Sequence, residues 1–349
     1  MMPPSDNYGI YRYLIFIAFF FIAVIGMKMT AYIITLLVVS LILTMLALPA
    51  LNMLRRRRLP DIVSVSILTG LAIFLILILI GLTVFSFSIF VKDLPLYQVE
   101  LNQRLSEITG FLSSYGFGGD ILSTSSINLQ AILQMALSSI MGIGDLFLYL
   151  FFIAVTTFFM LLEAPHVGLR IEKMLGKESN KMAQLSRMSN YMVEFVIVRT
   201  ETNLVHGVLF GGVLWTMGVH AALLWGILTF ILAYIPYIGL IIAAIPAIFF
   251  AWLQFGIWGA LAVIATVCIL NIVVENPIFS YFASRKFEIP ALIVILSVIF
   301  WGWVLGIAGM VFAVPITLMI LIVIQCSDEL CWVNALLGVN KIFEDDVKE

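Results

Sequence analysis

The chain has 349 residues, of which 63% are hydrophobic and 11% are charged, and its mean hydropathy is +1.15. Soluble domains are about half apolar and about a quarter charged, so this chain has too few charges to cover a surface in water. The formal net charge of -2 provides no basic surface for nucleic acid. Composition therefore excludes a soluble globular protein and predicts a polytopic, all-α integral membrane protein.

Residues 1–91 and the segment after residue 145 contain four apolar stretches that meet or approach the roughly 20 residues a helix needs to cross the hydrocarbon core. The residues before the first stretch lack the basic run of a secretory signal, and no A-x-A cleavage site follows it. We therefore expect the first stretch to be a retained, rather short transmembrane helix. The four stretches are Tyr13–Met27, Tyr32–Met53, Ile62–Val91 and Leu146–Leu162.

The distribution of Lys and Arg predicts the orientation of these helices. Basic residues concentrate in Arg55–Arg58 and in Ala164–Thr200, whereas the stretch 92–140 is poor in them. By the positive-inside rule, the two basic regions face the cytoplasm and the third region faces out. We expect cytoplasmic N- and C-termini, with residues 327–349 forming an acidic cytoplasmic tail.

Both connecting regions carry an apolar stripe at helical spacing. In residues 92–140 the stripe runs from Leu94 to Leu112 and precedes a loop rich in Ser and Gly. In residues 141–200 a second stripe follows the transmembrane helix. We expect extracytoplasmic amphipathic helices in the first region and cytoplasmic ones in the second. Such helices lie on the membrane surface or pack on a neighbouring subunit, and both alternatives stay open.

Residues 201–326 are almost continuously apolar and are interrupted by Gly and Pro rather than by charged loops. Several of the pieces are too short to cross a membrane alone. We therefore predict Gly/Pro-broken helical hairpins that enter the membrane and return, and about eight membrane segments in the whole chain. The breaks fall at His220, Pro236–Gly239, Phe255–Gly256, Asn276–Pro277 and Trp303–Gly309.

Motifs for common enzymatic and metal chemistry are missing from the sequence. It has no GxxxxGK[ST] loop for ATP phosphates, no HExxH and no GxSxG. The three cysteines form neither a disulfide framework nor a paired metal-ligand spacing, and the three histidines are scattered. We therefore predict no enzymatic activity, no metal site and no cofactor.

Polar residues inside apolar sequence are the candidate functional residues, because each needs a partner in lipid. Glu275 is followed by Asn276 and by Pro277, which removes a backbone donor and frees nearby carbonyls. Together these groups can hold Na⁺, a proton or the hydroxyl groups of a solute. Earlier in the chain, Asn203 begins the fifth apolar segment, and Arg199 lies just before it. The alternatives are a solvated helix end for Glu275 and a helix start at the interface for Asn203.

Two Gly/Pro-interrupted stretches, Ala233–Ile248 and Trp301–Leu318, have similar settings. Paired broken segments are typical of a transporter site between repeats, since broken helix ends expose backbone groups to a solute or ion. Simple proline kinks are the alternative. Separately, the spacing of Gly207 and Gly211 after His206 predicts a close helix contact. The predicted path and hinge residues are Pro236, Tyr237, Gly239, Pro246, Gly306, Gly309 and Pro315.

Five blocks of the sequence form a specific combination: RRRRLPD (55–61), RTETNLVHGV (199–208), ALLWGILTFILAYIPYIGLIIAAIP (222–246), VEN (274–276) and WGWVLGIAGMVFAVP (301–315). On these blocks the chain resembles the autoinducer-2 exporter (AI-2E) family, and in particular its branch associated with export of the quorum-sensing signal autoinducer-2. The resemblance implies a bacterial inner-membrane transporter without ATPase activity, with residues 201–326 as its transport core. It also implies a homo-oligomer, with a pentamer as the expected size, and hairpins that move in an elevator-like way.

Three functions stay open from the sequence. The first is secondary-active or facilitated export of a small polar solute such as autoinducer-2, with Asn203 and Asn276 binding the solute and Glu275 as the coupling carboxylate. The second is a Na⁺(Li⁺)/H⁺ antiporter, as some relatives are, because Glu275 looks like a lone acid in an apolar helix. The third is a non-transporting oligomeric scaffold, favoured by the amphipathic helices. Membrane lipid and Na⁺ or H⁺ are the expected partners besides the solute.

Overall fold

The computed structural model describes residues 7–115, 143–175, 180–275 and 290–325, together with residues 277, 333 and 337. Within this part of the chain the backbone is helical apart from short turns, and no strand occurs. The all-α prediction is confirmed. The helices are α1 (Asn7–Met29), α2 (Ala31–Arg56), α3 (Asp61–Lys92), α4 (Leu94–Ser114), α5 (Ile143–Leu175), α6 (Asn180–Thr216), α7 (Ala222–Leu232), α8 (Gly239–Leu270), α9 (Ala291–Val311) and α10 (Ala313–Gln325), with a π-helical turn at Asn271–Glu275.

The chain is a multi-pass membrane protein by the length and apolarity of its helices. In the described residues, five helical stretches are long and apolar enough to cross a membrane, so the predicted number of about eight is not reached. One reason is that Ala222–Leu232 is only 11 residues long. None of the most apolar window of α3 is buried, so this helix presents its side chains to lipid or to a neighbouring subunit. The five stretches are Ala31–Arg56, Asp61–Lys92, Leu146–Val167, Gly239–Glu275 and Ala291–Val311.

Residues 239–275 form a helical hairpin, which we call hairpin 1. Gly256 has φ 68° and ψ -157°, a conformation essentially restricted to glycine, and it interrupts α8. A Cβ atom on Gly259 would collide with the carbonyl oxygen of Ala251, eight residues earlier. In a straight helix residues eight apart are separated by about 12 Å, so the chain turns back at Gly256. The predicted break at Phe255–Gly256 is confirmed.

Helices α9 and α10 form a second hairpin, hairpin 2, in the same manner. Gly306 has φ 72° and ψ -151°, and a Cβ atom on Gly309 would collide with the carbonyl oxygen of Trp301. The indole nitrogen of Trp301 donates to Thr317 Oγ1 over 3.0 Å, which ties the two arms together. The arms share a hydrophobic core with residues of α1, α2 and α6. The prediction of helical hairpins in the second half of the chain is confirmed by these two within the described residues.

The turns of the two hairpins share one local sequence. Residues 255–259 read FGIWG and residues 305–309 read LGIAG, so Gly-Ile-x-Gly recurs at an offset of 50 residues. The first glycine supplies the positive φ, and the second lets the two arms meet because it lacks a Cβ atom. Trp301–Leu318 therefore has a closer counterpart in the turn of hairpin 1 than in Ala233–Ile248, which contains the turn between α7 and hairpin 1.

Helices α6 and α7 cross closely at small residues. A Cβ atom on Gly207 would lie 2.7 Å from the carbonyl oxygen of Gly226, and one on Gly211 would lie 3.2 Å from the Cα of Gly226. The predicted close contact at Gly207 and Gly211 is confirmed. Because the backbones touch, α6 and α7 form a firm support against which hairpin 1 packs.

The amphipathic helix α4 packs on hairpin 1. Leu94, Tyr97, Leu101 and Leu105 are buried in one hydrophobic cluster with Phe250 of hairpin 1. The ring centroids of Tyr97 and Phe250 are 4.8 Å apart. The predicted apolar stripe is therefore confirmed as far as Leu105, and it covers this chain's own hairpin rather than the membrane surface.

Candidate functional site

A half-buried ion pair joins α6 to the end of hairpin 1. The Nη1 atom of Arg199 donates to both carboxylate oxygens of Glu275, over 2.9 and 3.1 Å. The Nη2 atom donates to the carbonyl oxygen of Ala233, just after α7. The two side chains are 13% and 32% exposed. The guanidinium therefore neutralises the carboxylate and connects three elements at one point. Glu275 is neither a lone acid nor a fully solvated helix end.

Asn203 lies one turn after Arg199 and is fully buried. In the amide orientation that satisfies both of its ends, the nitrogen donates to the carbonyl oxygen of Arg199 (3.2 Å) and the oxygen accepts the backbone N–H of Tyr234 (3.1 Å). The Tyr234 hydroxyl in turn donates to Thr200 Oγ1 over 2.7 Å. Asn203 thus holds the turn after α7 against α6. Its interpretation as a helix start is wrong, because α6 begins at Asn180.

His206 continues this polar face of α6 by one further turn. It is fully buried, and its Nε2 atom lies 3.3 Å from the carbonyl oxygen of Leu270 at the end of α8. That contact assigns the proton to Nε2 in the neutral ring, which leaves Nδ1 as an acceptor with no partner among the described residues. We call the group that surrounds the base of hairpin 1 the inner cluster; it comprises Arg199, Thr200, Asn203, His206, Tyr234 and Glu275.

The structure brings together three of the four residues predicted for coupling, namely Arg199, Asn203 and Glu275. The fourth, Asn276, lies outside the described residues. A signal for the pairing of Arg199 with Glu275 was present, because both charges stand out in apolar sequence. Their proximity in space could not be predicted from the sequence, because 76 residues separate them.

The predicted path residues Pro236, Tyr237 and Gly239 form the turn between α7 and hairpin 1, directly after the inner cluster. Tyr237 has φ 63°, and a Cβ atom on Gly239 would collide with the carbonyl oxygen of Leu232. This turn is therefore tight, and glycine is required at position 239. Its backbone is held close to α6 through Ala233.

The other predicted hinge residues lie elsewhere. Pro246 is inside the first arm of hairpin 1, Gly306 and Gly309 make the turn of hairpin 2, and Pro315 is buried in α10. In the described part of the chain, no hydrogen bond or ion pair links these four residues to the inner cluster. Gly306 and Gly309 shape a turn, and Pro246 and Pro315 lie within helices.

A second arginine, which is not among the residues predicted from the sequence, holds the turn of hairpin 1. Arg104 of α4 donates through Nε to the carbonyl oxygen of Leu253 (3.0 Å) and through Nη2 to that of Gln254 (3.4 Å). Its Nη1 atom donates to the Glu107 carboxylate over 2.8 Å, which lowers the pKa of Glu107. The last carbonyls of a helix carry the negative end of its dipole, so a cation stabilises them.

The spacing of polar residues in α4 was the signal for this second contact. Tyr97, Glu100 and Arg104 recur at three and four residues, so they line one face of the helix, and Asp93 stands at the same spacing just before it. Burial, with Asp93 and Glu100 nearby, raises the pKa of the Tyr97 hydroxyl, which keeps it protonated. The prediction for this region used only the apolar stripe and so missed the polar residues that accompany it.

Two large grooves of the molecule are apolar. One of about 870 Å³ lies between α2, α3 and α5, and its polar lining side chains are Thr69, Thr83 and Thr157. Another of about 500 Å³ lies between α3, α6 and α7 and includes Gly207 and Gly226. Aliphatic and aromatic walls of this kind suit lipid chains rather than a polar solute. Polar chemistry is instead available at the two ends of hairpin 1.

The protein crosses the membrane several times, has two hairpins that turn at glycine, and carries a half-buried ion pair at the base of one of them. These features place it in the class of membrane transport proteins. The sequence comparison identifies the family within this class. The family model of the AI-2E family transporters matches residues 13–327, and the chain belongs to this family. The resemblance noted in the sequence is therefore confirmed, and the family is one of transporters rather than enzymes.

Relatives of similar length match almost the whole chain. A protein of Haemophilus influenzae named "Putative transport protein" is 29% identical over 341 residues, which cover 96% of this chain and 98% of the relative. The AI-2 transport protein TqsA of Escherichia coli K12 is 26% identical over 326 residues, which cover 93% of this chain and 95% of the relative. The shared length extends the family relationship to both hairpins and to the helices around them.

Proposed function

We propose that this protein is a secondary-active or facilitated transporter of the bacterial inner membrane that exports a small polar solute, with autoinducer-2 as the candidate. The observation that carries the proposal is the Arg199–Glu275 ion pair at the base of hairpin 1. The candidate solute comes from the relative TqsA, which is named an AI-2 transport protein. Export rather than uptake follows the family resemblance.

The inner cluster suits a neutral solute with hydroxyl groups. Arg199 neutralises Glu275, and the neighbouring side chains of Thr200, Asn203 and Tyr234 are uncharged. The cluster therefore offers hydrogen bonds without a net charge. A Na⁺ or Li⁺ ion would first have to displace a guanidinium that contacts both carboxylate oxygens. This favours the exporter over the antiporter, whose premise was an unpaired carboxylate.

Glu275 is the proposed coupling group because its bonds to Arg199 must change when hairpin 1 moves relative to α6. Protonation of the carboxylate removes its attraction for the guanidinium, and solute hydroxyl groups can replace part of the lost hydrogen bonding. Arg199 also binds Ala233, so the same step loosens the turn that leads into hairpin 1. In this proposal the ion pair holds one state of the transporter, and solute or proton binding releases it.

The proposed topology places the inner cluster toward the cytoplasm, on the side of Arg55–Arg58, with both termini on that side. The proposed assembly is a homo-oligomer, with a pentamer as the expected size. The exposed apolar surface of α3 supports a subunit or lipid interface there.

The experiment uses purified protein in liposomes that contain a pH dye. Autoinducer-2 is added under a fixed proton gradient, and Na⁺ or Li⁺ pulses are applied in parallel. For Glu275→Gln we expect solute-driven proton movement to fall at least about tenfold, because a charge-assisted bidentate contact is lost. The matched control is Glu201→Gln, because Glu201 is an exposed acid in α6, two residues after the Arg199 that pairs with Glu275. The control should transport like the wild type.

The outcomes separate the three functions. Solute-dependent proton flux that Glu275→Gln abolishes supports coupled export. Solute flux that neither needs nor moves protons supports facilitated export. Proton movement on cation pulses that is lost in Glu275→Gln would establish the antiporter instead. A wild type that moves neither solute nor cations would leave the scaffold as the surviving function.

A further inference from the structure

Four buried polar side-chain atoms beside the turn of hairpin 1 have no hydrogen-bond partner in the described residues. They are Tyr97 Oη, Glu100 Oε2, His220 Nδ1 and Gln254 Nε2. The Tyr97 side chain as a whole is 0% exposed. Buried polar groups are nearly always paired in folded proteins, so several unpaired ones at one place require an explanation.

These four side chains are neighbours in space. The ring centroids of Tyr97 and His220 are 5.4 Å apart, and the backbone N–H of His220 donates to Gln254 Oε1 over 3.2 Å. Glu100 lies one helical turn after Tyr97 and acts electrostatically on its hydroxyl. The four residues therefore form one group, the outer cluster, at the meeting point of α4, the α6–α7 turn and hairpin 1.

The frame that carries the outer cluster is well bonded, so loose packing does not explain the unpaired atoms. The Tyr97 ring packs between Phe90 (5.4 Å) and Phe250 (4.8 Å). The indole nitrogen of Trp225 donates to the carbonyl oxygen of His220 over 3.0 Å. Arg104 binds the carbonyl oxygen of Gln254. Rigid support with unsatisfied polar tips is the arrangement that a preorganised binding site requires.

The donor and acceptor roles of the unpaired atoms determine which kind of ligand fits the outer cluster. Because Gln254 Oε1 accepts a backbone N–H, the orientation of its amide is fixed and its free Nε2 atom is a donor. A metal cation cannot use that donor. Glu100 Oε2 is an acceptor, and the Tyr97 hydroxyl can donate or accept. The complementary ligand therefore presents a carbonyl or ether oxygen together with hydroxyl hydrogens.

We propose that the outer cluster is a second solute site, which binds a small hydroxylated carbonyl compound at the turn of hairpin 1. This inference rests on the proposed function, since such a compound is the proposed cargo. The base of the hairpin holds the inner cluster and the turn holds the outer one, about 25 Å away for an arm of this length. The two clusters therefore lie at opposite ends of hairpin 1.

The test measures binding of autoinducer-2, and of dihydroxyacetone as a simple hydroxylated carbonyl, to the full chain in lipid nanodiscs. Tyr97→Phe removes only the unpaired hydroxyl, and Gln254→Glu keeps the acceptor for His220 but removes the free donor. Each should weaken binding about three- to tenfold, as expected for one hydrogen bond. The matched control is Tyr115→Phe, because Tyr115 is 69% exposed just after α4 and lies outside the cluster.

Melting temperature without ligand provides the second readout. Tyr97→Phe should melt at the wild-type temperature or above it, because its hydroxyl bonds to nothing in the described residues. A lower melting temperature together with weaker binding would show a structural hydroxyl and overturn the site. Wild-type binding that both variants retain would also overturn it, while the proposed function would stand. If the wild type binds neither compound, autoinducer-2 is not the cargo, and the outer cluster is not a solute site.

Discussion

Hairpins 1 and 2 turn at the same Gly-Ile-x-Gly sequence, but different side chains hold the two turns. Arg104 donates to two carbonyl oxygens at the turn of hairpin 1, whereas the Nζ atom of Lys28 lies 4.0 Å from the ring centroid of Trp303 near the turn of hairpin 2. Trp303 is the repeat equivalent of Leu253, whose carbonyl oxygen binds Arg104. A hydrogen bond from a charged donor is stronger than an exposed cation–π contact.

Neighbouring atoms also surround the turn of hairpin 1 more closely than the turn of hairpin 2. A Cβ atom on Gly256 would lie 3.6 Å from the Arg104 guanidinium, whereas one on Gly306 would meet nothing within 4 Å in the described residues. Hairpin 1 is covered by α4, and α6 and α7 support it. The shared motif therefore sets the shape of each turn, while the neighbouring helices set how firmly it is held. We therefore expect the turn of hairpin 2 to open more readily.

The largest effect is expected from filling the space between the arms. Gly259→Val and Gly309→Val each place side-chain atoms against a backbone carbonyl and a Cβ atom, so each should destabilise its hairpin by more than about 3 kcal/mol. Gly81→Ala in α3 is the control, since a Cβ atom there meets nothing within 4 Å. Yield of monodisperse protein and its melting temperature measure the effect. If only one hairpin responds, the two turns are not equivalent.

The next effect comes from Arg104→Met, which removes the charged donors at the turn of hairpin 1. Cysteines introduced by Ala247→Cys and Ser297→Cys report opening, because both positions are buried and lie nine residues before their turn glycine. In a chain without Cys268, Cys326 and Cys331, thiol labelling at position 247 should rise about 10- to 100-fold and that at position 297 should stay unchanged.

The matched control for Arg104→Met is Lys92→Met, which removes an exposed cation from the end of α3. It should change neither labelling rate. Equal acceleration at positions 247 and 297 in Arg104→Met would mean that the two hairpins open together. In that case the difference between their turns would have no consequence for opening.

A smaller effect is expected from Lys28→Met. Loss of one exposed cation–π contact corresponds to about a two- to fivefold rise in labelling at position 297, with no change at position 247. Trp303→Leu should reproduce this rise, because it removes the other partner. If Lys28→Met raised labelling at position 297 more than Arg104→Met raises labelling at position 247, the cation–π contact would be the stronger of the two.

The smallest effect is a response to acid at hairpin 1 alone. The hydrogen bond from Arg104 lowers the pKa of Glu107 below its ordinary value. The ionised Glu107 carboxylate therefore stabilises the protein fully when the pH is above the ordinary pKa. This contribution is lost as the pH falls through the lowered pKa. Spin labels at positions 247 and 297 measure this between about pH 6 and about pH 3. Mobility should increase slightly at position 247 only, and Glu107→Gln should abolish the response.

Local patterns in the sequence were sufficient for much of the fold. The excess of apolar residues predicted a helical membrane protein, and the spacing of Gly207 and Gly211 predicted a close helix contact. The breaks at Gly256 and Gly306 were also foreseen, since glycine tolerates backbone angles that other residues avoid. Arg199, Asn203 and Glu275 were selected because a polar group in apolar sequence needs a partner. Each of these signals is contained within a few neighbouring residues.

Only the tertiary structure decided which of these groups meet. Glu275 pairs with Arg199 from 76 residues away, and Arg104 reaches Leu253 across 149 residues. Such contacts depend on how the chain turns back at Gly256 and on the crossing of α6 with α7, which no local pattern encodes. A charged side chain needs a partner wherever it is buried, but packing between distant segments determines which partner it finds. The sequence by itself therefore determined the helices, the glycine breaks and the polar candidates, whereas tertiary packing determined their pairing and the difference between the two hairpins.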